Sequence, residues 1–137
     1  MKEMRTVLSP SNWAILLGAL LLSACDAQVE VHFRVSTVGN DSVAEQSRQI
    51  ASILAARHGV GARTRSDCKL ANYEHHGDTR LLELCLERES QSVSVQLMEL
   101  IYGGTFHPHW SAKGDSLRRE LQDTLSAQFG DRVTRIH

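Results

Sequence analysis

Apolar and polar residues alternate along the stretch that follows the N-terminal segment: Val29, Val31, Phe33 and Val35 are separated by Glu30, His32 and Arg34. Side chains two apart on an extended chain share a face, so this pattern predicts a strand with one buried side. After a loop containing Gly39-Asn40 the period changes. Val43, Ser47, Ile50 and Leu54 recur at helical spacing, supported by Ile53 and several alanines. Ser42-Val43-Ala44-Glu45 has the form of a capping box at the start of that helix, and Gly59 stands where a left-handed residue closes one.

Residues 60–79 are less regular. Ala62 to Leu70 fits an edge strand, and the polar run through His75-His76-Gly77-Asp78 fits a turn. A hairpin with His76-Gly77 at its tip sets Cys68 across from Cys85, but it also places Arg63 and Arg65 on the face of Leu82 and Leu84. A bulge or irregular segment is therefore expected in this region. Beyond it, Leu82, Leu84 and Leu86 alternate with Glu83, Cys85 and Glu87, and Val93, Val95 and Leu97 follow a polar turn, which predicts an antiparallel hairpin. The second strand is expected to reach Tyr102. Leu117, Leu121, Leu125 and Phe129 mark a second amphipathic helix, begun near Asp115-Ser116 and ended by Gly130, before a short strand at Val133 to Ile136.

The expected fold is α+β: a mostly antiparallel sheet of four to five strands with two helices on one face. Residues 29–59 and 80–137 fit a ferredoxin-like split pattern, with an insert at 60–79.

The residues before this domain change the picture. Trp13 to Leu22 are all apolar or glycine, a run of about ten, which matches a secretory hydrophobic region and falls short of the roughly 20 a spanning helix needs. Lys2 and Arg5 precede it, and Leu22-Ser23-Ala24-Cys25 follows. This segment resembles the lipobox signal peptide of bacterial lipoproteins. The resemblance covers residues 1–25. It implies cleavage after Ala24 and acylation of Cys25 with a diacylglyceryl group and a further fatty chain such as palmitate. It also implies a domain lipid-anchored to a bacterial cell membrane and facing the periplasm. Asp26 resembles the inner-membrane retention signal of enteric lipoproteins, with the outer membrane as the alternative. No known family is evident in residues 26–137.

Residues 25–137 suffice for one domain with a core and are too few for two. Fifteen basic against sixteen acidic residues leave the chain near neutrality. That balance lacks the basic footprint of a nucleic-acid binder or of an electrostatic membrane clamp. With Cys25 acylated, the other two of the three cysteines, Cys68 and Cys85, are left to pair in an oxidising compartment. Asp26 to Gln28 form the expected tether. They span about 10 Å at most, so the domain at 29–137 is held against the bilayer.

The seven histidines raise a metal hypothesis. In His107-Pro108-His109 two rings two residues apart face one way, and His75 or His76 from the other loop could add the third ligand that zinc or copper requires. Against this, Pro108 and Trp110 fit a rigid loop that packs an aromatic ring on the core. Arg63, Arg65, Lys69, Arg80 and Arg88 could form an anion strip, but nearby glutamates favour cross-strand ion pairs. Gly59-Val60-Gly61 follows a helix and lacks the third glycine of a phosphate loop. No nucleophile elbow, zinc-protease motif or carboxylate pair is present, so no catalytic residue and no cofactor is expected. The expected function is that of a non-catalytic lipoprotein binding or scaffolding an envelope partner near the bilayer. A ligand or metal sensor built on the histidine loops is the alternative. The edge of 60–79 and the Phe106–Trp110 loop are the expected contact surfaces.

Overall fold

The computed structural model describes residues 26–103 and 107–136. The expected signal peptide, Cys25 and Phe106 lie outside the described residues. The alternating stretch forms β1 (Ala27–Ser36), followed by helix α1 (Ser42–Arg57) and a three-residue strand β2 (Gly61–Arg63). Strands β3 (Ala71–His76), β4 (Arg80–Arg88) and β5 (Ser92–Ile101) come next, then helix α2 (Ala112–Phe129), one 3-10 turn and the short β6 (Val133–Arg135).

These strands make one sheet in the order β2-β3-β4-β5-β1-β6, with every neighbouring pair antiparallel. The class is α+β as expected, but the sheet has six strands rather than four to five. The difference arises at 60–79, where two strands join the sheet instead of one irregular edge. Register aligns the inward residues in rows: Tyr73, Leu84, Leu97 and Val31 form one, and Ala71, Leu86, Val95 and Phe33 the next. These residues, with Leu54 of α1 and Leu117, Leu121 and Leu125 of α2, make a single buried cluster. Both helices therefore cover the same face of the sheet. The other face carries Glu30, His32, Arg34, Ser94 and Gln96, joined by bonds such as Gln96 Nε2 to Glu30 Oε2 (2.9 Å).

Several local expectations need correction. Ser42 does not form a capping box: its hydroxyl donates to Asn40 Oδ1 at 2.7 Å, and Glu45 pairs with Arg48. Ile53 points to solvent, because Ala51, Leu54 and Ala55 supply the inward stripe of α1. Helix α2 begins four to five residues early, since Ser111 rather than Asp115 or Ser116 is its N-cap, the hydroxyl accepting from Gly114 N at 3.0 Å. Gly59 (φ 67°) and Gly130 (φ 53°) stop the helices in the left-handed region, as their positions predict.

The β3–β4 hairpin differs most. Cys85 faces Asn72, not Cys68, so the turn centres on residues 77–79 and the register is offset by four residues from the expected one. Cys68 and Cys85 are nonetheless joined by a disulfide, with Cα atoms 5.4 Å apart. Residues 64–70 bring Cys68 over the open face of the sheet to reach it. That resolves the conflict over the arginines: β2 ends at Arg63, which faces Asn72 on the open side, and Arg65 lies in the covering loop. Arg63 approaches Glu74 at 3.9 Å and Arg65 binds Glu83 and Asp67, the ion pairs expected of a polar sheet face.

Candidate functional site

One inward row breaks the apolar rule. His75, Leu82, Glu99 and Val29 are aligned across β3, β4, β5 and β1, which puts a carboxylate on the core side of a central strand. Glu99 is 2% exposed. A buried charge is costly unless it is paired and hydrogen-bonded, and here it is both. Oε1 accepts from Arg80 Nη1 at 2.9 Å and from the Ser111 amide at 2.6 Å; Oε2 accepts from the Ser111 hydroxyl at 2.5 Å. The carboxylate thereby satisfies a first-turn amide of α2 at the positive end of the helix dipole.

The packing around it is close. A Cβ on Gly114 would stand 3.0 Å from Trp110 Cε3 and 3.1 Å from Glu99 Oε2, so glycine is what lets the first turn of α2 approach. Trp110 packs on the core, as the rigid-loop expectation holds.

Above this row lies a cleft of about 330 Å³, lined by His75, Arg80, Leu82, Glu99, Ser111 and Lys113 and by the turn at 77–79. Lys113 Nζ is 3.5 Å from His75 Nε2, which acts as the acceptor. Beside it, His58 at the end of α1 places Nε2 2.6 Å from Glu120 Oε2, while Arg57 binds the other oxygen of Glu120. Burial above all, then the positive charges of Arg57 and Lys113, hold the His58 pKa below its ordinary value. A neutral ring donating to an already paired carboxylate satisfies both.

The candidate histidines do not converge. His75 lines the cleft, whereas His76, next in the strand, projects from the opposite face toward Glu74 at 3.1 Å. Arg80 Nη1 donates to the carbonyl of His109 at 2.8 Å, so the 107–111 segment does meet the His75 end of the sheet, but through its backbone. The His109 ring instead places Nδ1 3.1 Å from the His107 carbonyl. Among the described residues no group of three His, Cys, Asp or Glu side chains is placed to hold a metal ion.

Glu99 is not among the residues singled out from the sequence, and Arg80 stands there only in the possible anion strip, although the inward position of both is readable. Glu99 extends the inward series Val93, Val95, Leu97, and Arg80 extends Leu86, Leu84, Leu82. A charged residue at an inward position of a central strand is the signal.

The cleft also has a definite place in the molecule. Its row contains Val29, two residues from the start of β1, and the outermost row pairs Ala27 with Ile101 and Arg80. It therefore lies at the end of the sheet where the chain enters from Asp26. Among the described residues no helix is long and apolar enough to cross a membrane. Comparison with family models, curated proteins and solved structures finds no match.

Proposed function

We propose that the protein is a bacterial lipoprotein, acylated on Cys25, that binds or scaffolds an envelope partner directly at the bilayer surface. The observation that carries this reading is the start of β1 at Ala27. The expected tether of Asp26 to Gln28 shrinks to Asp26 alone, which at about 3.5 Å per residue leaves no slack between lipid and sheet. A module held so closely meets only neighbours at that surface, and its cleft lies at the tethered end. Asp26 favours the inner membrane in this reading.

The role is non-catalytic. Glu99, the buried carboxylate of the cleft, has both oxygens committed to Arg80 and Ser111, which makes it a helix cap and counter-ion rather than a base facing a substrate. The scaffold is read as a ferredoxin-like βαββαβ unit of β1, α1, β4, β5, α2 and β6, with β2 and β3 inserted at one edge. The neighbour order β4-β5-β1-β6 supports it. A second reading, a sensor of a small ligand, is favoured by the cleft itself and by Lys113 and His75 on its wall.

The test is a photo-crosslinking residue at Lys113, at the mouth of the cleft, in cells at native expression. One envelope protein recovered as a specific adduct supports scaffolding. Recovery of the chain alone, with a small molecule retained on purification, favours the sensor. Globomycin must cause precursor to accumulate; no accumulation ends the lipoprotein reading.

A further inference from the structure

The register that positions the cleft also places an apolar corner on the opposite, helix-free face. His76, Leu81, Leu100 and Gln28 form the outermost row of that face, with the histidine at its β3 edge, and Met98 stands in the row behind. Tyr102 follows the last row, its amide donating to the Thr79 carbonyl at 2.8 Å. Tyr102 is 43% exposed, one of three large hydrophobic residues so exposed among the described residues; the others, Val38 and Ile53, lie beyond the far end of β1 and on the outer side of α1. Leu81, Met98 and Leu100 are half-buried without a covering helix.

We propose that the corner of Leu81, Leu100 and Tyr102 docks on the lipid bilayer, so that the domain leans on its membrane with its open sheet face inclined toward the headgroups. The inference rests on the reading of Cys25 as the acylated residue. Three observations select lipid as the occupant. The described chain begins at Asp26 beside this corner, and strands are about 4.8 Å apart, so Leu100 lies one strand and Leu81 two strands from the tethered β1. Tyrosine is a side chain that suits the boundary between headgroup and hydrocarbon, apolar in its ring and polar at its tip. Glu30 and Glu74, in the row of Met98, mark where the face must return to water, which limits contact to the corner.

The contact is apolar rather than electrostatic. Arg80 and Lys113 are the cations at this end, and Asp26, Asp78 and Glu99 offset them. So small a patch binds lipid weakly by itself; the tether raises its effective concentration at the surface and makes docking persistent. Docking is thus expected to be insensitive to anionic lipid and to salt.

The experiment uses the acylated full chain reconstituted in phosphatidylcholine vesicles with and without phosphatidylglycerol. Cysteines introduced as Tyr102→Cys, Leu100→Cys, Val38→Cys and Ile53→Cys carry a nitroxide, the native thiols being acylated or bridged. Circular dichroism screens each variant, and the exposed Tyr102 site serves if Leu100→Cys fails to fold. The expected result is a severalfold rise in collision with oxygen relative to a water-soluble nickel chelate at 102 and 100, equal in both lipids, with 38 and 53 water-like. Water-like values at 102 and 100 on a chain whose diacylglyceryl mass is confirmed overturn the docking alone. Spin–spin broadening at 102 overturns it in favour of a second copy. A rise only with phosphatidylglycerol overturns the apolar account. An N-terminal peptide without the lipid mass overturns the anchoring reading, and the docking with it.

Discussion

Replacing Glu99 with alanine removes three hydrogen bonds at once and leaves the guanidinium of Arg80 without its carboxylate. Breaking one side of a buried pair typically costs about 3–5 kcal/mol. Chemical denaturation of Glu99→Ala is expected to fall in that range, with Glu99→Gln losing less. Gly114→Ala sets two effects against each other. Alanine gains up to about 1 kcal/mol of helix propensity, but crowding in a closed site costs about 1–3 kcal/mol. With Trp110 and Glu99 both near 3 Å from the new methyl, crowding wins, and a lower melting temperature is expected. Glu83 supplies the pH dependence. Burial raises its pKa, with Arg65 opposing and Glu74 adding to the rise. The native state therefore holds more protons than the unfolded chain just above pH 4.5, and stability falls as pH rises through that window. Glu83→Gln should flatten this slope in urea titrations at stepped pH, and an unchanged slope counts against the assignment. At this scale the sequence was readable wherever alternation was unbroken. Glu99 stayed unremarked and Arg80 was assigned to an anion strip, because a charge at the end of an apolar series reads locally as the end of the buried face, and only their pairing between β4 and β5 shows otherwise.

The elements divide by how local their causes are. Strand β1, both helices and the β4–β5 hairpin follow from periodicity and from Gly59 and Gly130, all within a few residues of the element they define. The register of β3 against β4 depends instead on a turn at 77–79 and on how residues 64–70 cross the open face. Neither leaves a periodic trace. The identity of the cysteine pair was legible from counting, while its geometry was not: Cys68 approaches from a loop above the sheet rather than from a neighbouring strand. The same loop carries Arg65 onto Glu83, a residue only 7% exposed. The disulfide therefore closes a loop and also roofs part of the open face. Cys68→Ala with Cys85→Ala is expected to cost about 3 kcal/mol, as in the chain-entropy account of a loop this size. Hydrogen exchange should show protection lost at Asn72 and Cys85 and kept at Leu97, and uniform loss would mean that the bridge supports the whole core.

For the whole molecule, the proposed anchoring turns on the single residue, Asp26, that separates Cys25 from β1 in the sequence. In the proposed anchoring, Cys25→Ser is expected to abolish incorporation of labelled fatty acid and to leave the signal peptide uncleaved, since only the thiol can form the thioether. Undiminished fatty-acid labelling of Cys25→Ser would sink the anchoring reading. The first strand of the domain is an interior strand of the sheet, and its partners, residues 92–101 and 133–135, lie far along the chain. Such distant pairing delays folding until the whole sequence is present, because closing long loops must precede the contacts that reward it. The leading strand thus has no neighbour to join while the rest is still being delivered. In the proposed export, a polypeptide built this way stays extended through a narrow channel and assumes its shape only after the last residues emerge.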